Sequence, residues 1–336
     1  MVKARKFVLD KYCDGEPKES DFLIIEEDLP ILQNDEILCE AVWWSVDPYM
    51  RSYMSRYPLG STMIGLQVAK VIESRHKDFA VGKHVIGFFG WRTHTIANGN
   101  IAPIPTHFPP HLVPEMGDLP MSLALGALGR IGNTAYFGLL KLCQPKAGEV
   151  VVVSGAAGAV GSHVGQIAHI LGCKVIGFAG SEEKVKWLTE ELKFDRAFNY
   201  RTTDVTEALK EAAPDGVDCY FDNVGGVMSS AVIHHMRQFG RIAICGSISS
   251  YNTKDGELVS APMIQTSVVR KQLKMEGFIV SRWKDCWQEG IDQNLKWIQE
   301  GKLKWKETLT EGFENLPLAF IGMLRGDNIG KAVVKA

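Results

Sequence analysis

In this 336-residue sequence, the residues whose types and spacing most clearly indicate a functional site are a run of valines and the turn of small residues that follows it. The segment VVVV at 150–153 leads into SGAAGAVG at 154–161. Apolar residues then recur at helical spacing at 160, 164, 167 and 171, and Gly172 stands where such a helix ends. Strand, tight turn and helix form the context of a dinucleotide-binding fingerprint, although Ala156 replaces its first glycine.

Small residues in such a turn let backbone N–H groups approach a pyrophosphate closely. The N-terminus of the following helix adds unpaired donors and positive potential. We therefore predict that this turn binds the pyrophosphate of a dinucleotide through Ala157, Gly158, Ala159, Val160 and Gly161.

The next predicted strand, KVIGFA at 174–179, indicates which dinucleotide is bound. Enzymes that use NAD place an acidic residue near this point, about 20 residues past the turn, to bind the ribose 2′-hydroxyl. Here Gly180 and Ser181 follow the strand, and Lys184 comes one helical turn later. A missing acid beside a cation favours a 2′-phosphate, so we predict NADPH/NADP⁺, with Ser181 and Lys184 as ligands. The alternative is that Ser181 only caps a helix and Lys184 is only solvated.

Composition and charge exclude several classes of protein. The net charge of −2 gives no electrostatic footprint for nucleic acid or for an anionic membrane, and we expect neither as a partner. The first residues do not form a signal-peptide pattern, and no apolar run reaches membrane-spanning length. Seven dispersed cysteines without a C-x-x-C pair argue against disulfides and structural zinc. We expect a cytoplasmic protein that holds no metal.

The distribution of predicted elements indicates two domains, as the length also suggests. Residues 1–121 are β-rich, with candidate strands at 22–27, 36–46, 67–73 and 84–91. Strands near Val150, Val175, Ala197, Asp218, Ile242 and Met275 alternate with helices, which predicts a parallel sheet covered on both faces. We predict an α/β Rossmann domain, doubly wound, at 122–298. Residues 1–121 and 299–336 form the other domain, because GKAVV at 330–334 reads as a strand that rejoins it.

The chain has a β-rich region first and the dinucleotide-binding fingerprint in its middle. This order resembles that of the medium-chain dehydrogenase/reductase superfamily. More specific segments are VDPYMR at 46–51, FDNVGG at 221–226, CGSISSYN at 245–252, GFEN at 312–315 and GDNIGK at 326–331. Together with the turn, they resemble the prostaglandin reductase 1 family over essentially the full length. The resemblance implies a GroES-like β-barrel-type substrate domain, a homodimer and no zinc.

The resemblance also implies roles for single residues. It places Tyr251 near the nicotinamide ribose and the substrate carbonyl as the catalytic residue, although a tyrosine there could also only pack. It places Tyr49 in the wall of the substrate pocket, where a buried barrel tyrosine is the alternative. Further cofactor contacts are implied at Tyr200, Asn223, Cys245, Gly246, Ser247, Ile248, Ser249, Ser250, Phe278, Ile279, Val280 and Asn328. Tyr200 could instead cap a strand, and Asn223 could instead serve a turn.

The activity implied is reduction of the C=C bond of α,β-unsaturated ketones and aldehydes, including 15-oxo-prostaglandins and alkenals. A 12-hydroxy-eicosanoid dehydrogenase activity would accompany it in this family. The alternatives are a zeta-crystallin-like NADPH quinone reductase and a non-catalytic NADPH-binding protein. Two features depart from the family pattern, Arg130 and the segment 98–119, and both bear on substrate preference.

Overall fold

The computed structural model describes residues 2–104, 107–254 and 256–336. The strands, in chain order, are β1 (Lys3–Leu9), β2 (Phe22–Asp28), β3 (Glu36–Ser45), β4 (Gln67–Ser74), β5 (His84–Gly87), β6 (His94–Asn98), β7 (His111–Leu112), β8 (Val150–Val153), β9 (Lys174–Ala179), β10 (Arg196–Asn199), β11 (Val217–Asp222), β12 (Met236–Ile244), β13 (Lys274–Gly277), β14 (Glu307–Glu311) and β15 (Lys331–Lys335).

The α-helices are α1 (Tyr49–Met54), α2 (Arg130–Phe137), α3 (Ala159–Ile170), α4 (Glu182–Lys186), α5 (Val205–Ala212), α6 (Gly226–His234), α7 (Gln265–Arg270), α8 (Trp287–Gln299) and α9 (Leu316–Arg325). Short 3-10 segments lie at Glu19–Asp21, Met121–Leu125, Ile248–Ser250, Val280–Cys286 and Phe313–Asn315, and π-helical turns at Gly138–Cys143 and Trp187–Glu191.

The chain divides into two compact units. Unit 1 comprises Met1–Gly126 and Glu307–Ala336, and unit 2 comprises Ala127–Lys306. The domain boundaries predicted from the sequence, 121/122 and 298/299, precede the unit boundaries by a few residues. Whether these units are also the substrate and cofactor domains stays a prediction.

Unit 2 is built on a six-stranded sheet with the strand order β10-β9-β8-β11-β12-β13. Every neighbouring pair in it is parallel. The order reverses between β8 and β11, and ligands of doubly wound sheets bind in the crevice at such a switch point. The fold class predicted from the sequence, a doubly wound α/β domain beside a second β-rich domain, is confirmed.

Helices cover both faces of this sheet, which explains why its central strand can be apolar throughout. All four valines of β8 are buried. On one face, α5 and α6 pack over alternate residues of the strands, including Val152, Phe178 and Ile242. In a second group, α2 contacts both α3 and α8, and α3 packs against β8 and β9. The buried face of α8 contains Ile291 and Ile298, and also a fully buried asparagine, Asn294.

Unit 1 is a mainly antiparallel β structure. Its larger sheet has the strand order β14-β15-β3-β4-β5-β7, with β6 paired to β3, and β1 pairs with β2 in a separate ribbon. The C-terminal strand β15 pairs antiparallel with β3, near the other end of the chain. The core of unit 1 contains Trp44, Trp91 and Phe320, each almost completely buried. In the described part of the chain, no helix has both the length and the apolar character needed to cross a membrane.

One predicted strand of unit 1 is wrong in its extent. The pattern at 84–91 predicts a single strand, whereas β5 ends at Gly87. The chain turns at Gly90, which adopts a positive φ of 76°. The ring of Phe89 also folds back onto Gly87, where a Cβ would lie 2.1 Å from the Phe89 ring. A local alternation pattern does not reveal such a fold-back, because the contact depends on the ring's orientation.

Candidate active site

The glycine-rich turn after β8 is shaped for close backbone approach. Gly155 has a φ of 58°, in the left-handed region that favours glycine. A Cβ on Gly161 would lie 2.4 Å from the Gly155 carbonyl oxygen, so α3 can pack this tightly against the turn only with glycine there. No side chain caps the N-terminus of α3 at Gly158. Its first-turn N–H groups are therefore available to an anion, and the turn fits a dinucleotide pyrophosphate.

Asn223 lies at the switch point, directly after β11. Its side-chain Nδ2 donates to the Ser154 carbonyl oxygen at 2.7 Å, and its backbone N–H donates to Ser154 Oγ at 3.0 Å. These bonds join the C-terminal ends of the two central strands, β8 and β11. The structure thus brings the predicted Asn223 beside the predicted turn. Its amide also has a structural role in this crevice.

Asp222, which the sequence reasoning did not single out, organises this crevice. Its Oδ1 accepts hydrogen bonds from Ser154 Oγ (3.0 Å), Tyr220 Oη (2.8 Å) and the backbone N–H groups of Val224 and Gly225 (both 2.9 Å). The carboxylate is buried. Burial, followed by the charge of Asp222, raises the pKa of Tyr220 well above its usual value. A signal was present in the sequence, since an Asp before Asn-x-Gly-Gly at a strand end is typical of an Asx turn.

The segment 245–251 is anchored to the same crevice. The backbone N–H groups of Cys245 and Gly246 donate to the Asp222 carbonyl oxygen at 2.8 and 3.2 Å. Those of Ile248 and Ser249 donate to the carbonyl oxygens of Asn223 and Val224 at 3.2 and 3.1 Å. These bonds hold the predicted cofactor-binding run Cys245 to Ser250 against the end of β11. Burial, with a smaller effect of Asp222, raises the pKa of the Cys245 thiol to about 12, so this thiol is protonated at neutral pH.

Tyr251 ends this segment with its hydroxyl directed back over it. The Ser247 N–H donates to Tyr251 Oη at 3.2 Å. A Cβ on Gly246 would lie 3.1 Å from Tyr251 Oη and 3.3 Å from the Asn223 carbonyl oxygen. The predicted catalytic hydroxyl and the backbone carbonyl of the predicted Asn223 therefore both lie close to Gly246. Because the hydroxyl accepts a bond from a backbone N–H, its own proton points elsewhere.

A second corner of unit 2 contains the residues predicted to select the 2′-phosphate. Ser181 caps α4, since its Oγ accepts from the Lys184 N–H at 3.3 Å. The hydroxyl of Tyr200, a residue that is 42% exposed, lies over Gly180, where a Cβ would come within 3.0 Å of it. The nearest acid in the sequence, Glu182, instead accepts from Asn199 Nδ2 at 2.8 Å. Gly180, Ser181, Lys184 and Tyr200 form a corner that fits a phosphate.

The remaining predicted residues lie in both units. Phe278 packs edge-on against Phe221 with ring centroids 6.0 Å apart, Ile279 is 53% exposed, and Val280 is buried. These three residues follow β13 at the carboxyl edge of the sheet. In unit 1, Tyr49 begins α1 and stacks edge-on with Tyr53, with centroids 6.1 Å apart. Asn328 closes a turn before β15, where its Nδ2 donates to the Gly330 carbonyl oxygen at 2.7 Å. All the assigned roles stay predictions.

Among the residues described, no group of three or more His, Cys, Asp or Glu side chains is arranged to hold a metal ion. All seven cysteines are free. Arg130, the departure noted in the sequence, begins α2. Its Nε is buried and has no hydrogen-bond partner within the described ranges.

Two family models match the chain and agree with its division into units. One, described as the N-terminal domain of oxidoreductase, matches residues 5–103, and the other, described as zinc-binding dehydrogenase, matches residues 159–297. The fold, the switch-point crevice and these matches define a protein of the medium-chain dehydrogenase/reductase superfamily.

Similar proteins of known name identify the family within this superfamily. The chain is 50% identical to prostaglandin reductase 1 of Mus musculus, with 100% of both chains covered. It is 41% identical to a 2-alkenal reductase (NADP(+)-dependent) of Nicotiana tabacum, with 99% of this chain and 97% of the relative covered. The chain belongs to the prostaglandin reductase 1 family. Among solved structures, CurA of Vibrio vulnificus in complex with NADPH superposes with a TM-score of 0.90 at 37% identity, covering 99% of each chain.

Proposed function

We propose that this protein reduces the C=C bond of α,β-unsaturated ketones and aldehydes, with NADPH as its cofactor. The observation that carries the proposal is full-length similarity, at 50% identity, to a relative named prostaglandin reductase 1. A relative named as an NADP(+)-dependent 2-alkenal reductase supports the substrate class. The glycine turn and the phosphate corner of unit 2 support the cofactor. Alkenals and 15-oxo-prostaglandins are the substrates to test.

NADPH, when bound, supplies a hydride to the β-carbon of the substrate. The turn at 155–161 holds the pyrophosphate through backbone N–H groups, and Ser181, Lys184 and Tyr200 hold the 2′-phosphate. The Asp222 carboxylate accepts hydrogen bonds from Ser154 after β8 and from Val224 and Gly225 after β11, and so holds these two loops in place. These residues bind and orient, and none of them needs to exchange a proton during turnover.

Tyr251 stabilises the carbonyl oxygen as negative charge builds there. We propose that this hydroxyl, which accepts a hydrogen bond from the Ser247 N–H, donates a hydrogen bond to the substrate oxygen. A single positioned donor of this kind needs no Lewis acid, so we propose a metal-independent reaction. Activity that survives EDTA treatment supports this. Activity lost to EDTA and restored by zinc would overturn it.

The test combines an assay with an isotope label. NADPH oxidation is followed with 2-nonenal, a 15-oxo-prostaglandin and a quinone, which separates the proposed activity from quinone reduction and from binding without turnover. With NADPH deuterated at the transferred position, deuterium is expected at the β-carbon of the product and solvent hydrogen at the α-carbon. Deuterium at the carbonyl carbon would make the protein a carbonyl reductase.

Tyr251→Phe tests the proposed catalytic residue, because it removes only the hydroxyl. Removing one oxyanion donor lowers rates about 10²–10³-fold in protease sites. We expect a smaller loss here, about tenfold, with NADPH affinity largely kept, since the cofactor ribose can share the role. An unchanged rate under conditions where the chemical step is limiting would assign Tyr251 to packing.

We also propose that two copies of the chain associate through β13. This strand ends the parallel sheet and carries the exposed apolar side chain of Met275, and the preceding helix α7 carries Val269, which is 74% exposed. An uncovered apolar edge favours pairing with another chain. Met275→Lys is expected to shift a dimer to a monomer in sedimentation velocity, while Ile31→Lys in unit 1 leaves it unchanged. A monomeric parent protein would contradict the proposal.

We also propose that the protein is located in the cytoplasm, and cell fractionation tests this.

A further inference from the structure

Lys331 is an almost completely buried lysine in unit 1, with 4% of its surface exposed. Its Nζ donates to the carbonyl oxygens of Val46 and Ala332, each at 2.7 Å. It also lies 3.2 Å from Asp47 Oδ1. Each of the three N–H groups of the ammonium thus has an acceptor. Burial lowers the pKa of Lys331, and the Asp47 charge opposes that effect.

Asp47, the counter-charge, is itself only 3% exposed. Its Oδ2 accepts a hydrogen bond from Ser45 Oγ. Its backbone carbonyl oxygen accepts from the Met50 N–H at 3.2 Å, in the turn that begins α1. Asp47 therefore fixes the start of the segment that carries Tyr49, the residue assigned to the substrate wall.

The other end of the ion pair belongs to the segment that carries Asn328. Lys331 follows the turn closed by the Asn328 amide on the Gly330 carbonyl. Thr308 Oγ1 accepts from the Ile329 N–H at 3.0 Å and steadies this turn from β14. Glu307, the register partner of Lys331 on β14, accepts instead from Ser122 Oγ at 2.8 Å. Asp47 is therefore the carboxylate that Lys331 contacts.

The ion pair lies where the strand ladder stops. The β15–β3 register ends at Val333 with Ser45, and the Val46 N–H still donates to the Ala332 carbonyl oxygen at 3.3 Å. Pro48 then has no N–H, so the ladder cannot continue into the Tyr49 segment. A buried ion pair is often no more stabilising than a well-packed apolar pair, so stability alone gives little reason for charges here.

We propose that the Asp47–Lys331 ion pair positions Tyr49 and Asn328 relative to each other, which makes both charged residues positioning residues for the substrate and for NADPH. This inference rests on the proposed function. It predicts that losing the pair weakens the binding of both ligands at once, even when the fold is intact.

The test separates stability from binding. Lys331→Met alone leaves a buried carboxylate unpaired and is expected to lower the unfolding midpoint strongly. The double variant Asp47→Leu/Lys331→Met removes both charges of the pair, so that neither is left without its partner, and is expected to recover most of that midpoint. Its Kd for NADPH, from fluorescence titration, and its KM for 2-nonenal are both expected to rise about tenfold, with kcat changed less.

Val85→Ala is the matched control, since Val85 is fully buried in another core cluster of unit 1. It is expected to lower the midpoint while leaving Kd and KM unchanged. A stable double variant with parental Kd and KM would overturn the proposal.

Asp47→Asn covers the case in which the double variant does not fold. It keeps the side-chain shape and a hydrogen-bond acceptor for Ser45 while removing the charge. A folded Asp47→Asn with raised Kd and KM supports the proposal, and one with unchanged values overturns it. Failure of both variants to fold would assign the pair to stability and also overturn the proposal. NADPH titration needs no turnover, so a parent that binds NADPH without reducing enones refutes the activity and leaves the positioning test valid.

Discussion

The two units hold their site segments with buried charges of opposite sign. In unit 2, the Asp222 carboxylate accepts four hydrogen bonds from neutral donors, and among the described residues no salt bridge involves it. In unit 1, the Lys331 ammonium donates to two carbonyl oxygens and to the Asp47 carboxylate. One centre is an anion surrounded by donors, and the other is a cation surrounded by acceptors.

The difference lies in where the partners come from. Three donors to Asp222 are within three residues of it along the chain, so its centre is mostly local. Lys331 and its acceptor Val46 are 285 positions apart. A local centre can form with its own turn, whereas a long-range centre forms only when both strands have assembled. The four predictions below test the unit 2 side of this contrast, from the largest expected effect to the smallest, and the Asp47 and Lys331 variants described above test the unit 1 side.

Replacing Asp222 tests the anionic centre most directly. Asp222→Ala leaves four buried donors without an acceptor and is expected to lower the free energy of unfolding by about 3–5 kcal/mol. All four donors converge on a single oxygen, Oδ1, so Asp222→Asn retains an acceptor and is expected to lose far less. Urea unfolding measures both variants. Equal losses would mean that the charge, rather than the acceptor, holds the crevice together.

The stability of unit 2 is also expected to depend on pH, because this unit contains a buried histidine, His163, that is neutral at pH 7. Burial lowers the pKa of His163 to about 4, and a hydrogen bond between its Nδ1 and the Ala159 carbonyl partly opposes this shift. Below its usual pKa of 6.5 the unfolded chain takes up a proton that the folded chain refuses. The contribution of His163 to stability is therefore full above pH 6.5 and falls by about 3 kcal/mol as the pH drops to 4.

His163→Leu is expected to reduce the loss of stability between pH 7 and pH 4 by that amount. His169→Leu, an exposed histidine on the same helix, is the control and is expected to change the profile little. The measurement is the urea midpoint across this pH range. A parental profile in the His163 variant would show that other groups govern the acid response.

Alanine substitutions in the glycine-rich turn after β8 test how closely this turn must pack against the start of α3. A Cβ on Gly161 would meet the Gly155 carbonyl oxygen at 2.4 Å, whereas one on Gly158 would remain 3.2 Å away. Gly161→Ala is therefore expected to destabilise by about 1–3 kcal/mol and to weaken NADPH binding. Gly158→Ala is expected to be the milder of the two in both measurements. The reverse order would mean that the turn relaxes around the added methyl group.

The smallest expected effect concerns the phosphate corner. Lys184→Ala is expected to raise the Kd for NADPH about tenfold and to leave the Kd for NADH nearly unchanged, because only the 2′-phosphate loses a charge-assisted bond. Lys186→Ala is the matched control, since Lys186 lies on the same helix and pairs with Glu190. Equal losses for both dinucleotides, measured by titration, would remove Lys184 from the selection of NADPH.

Individual strands and helices show which parts of the fold the sequence patterns predicted and which they did not. The six strands near Val150, Val175, Ala197, Asp218, Ile242 and Met275 are all present. The central ones, such as β8 and β9, are nearly continuous apolar runs because both of their faces are buried. The C-terminal strand near Val333 was predicted as well. The end of β5 was not, since the fold-back of Phe89 onto Gly87 is a contact between side chain and backbone. Asn294 is fully buried in α8, and no sequence pattern predicts this, because an asparagine does not fit the apolar periodicity of a buried helix face.

The sequence by itself determined the strand–turn–helix at 150–171, the absence of an acid directly at the end of β9 and the family of the chain, because these features lie within short segments whose residue types are diagnostic. The tertiary structure decided which side chains hold the loops in place. Ser154 reaches Asp222 only because β8 and β11 are neighbours in the sheet. Lys331 reaches Asp47 only because β15 pairs with β3. Burial gives both charges their roles, and burial belongs to the assembled fold.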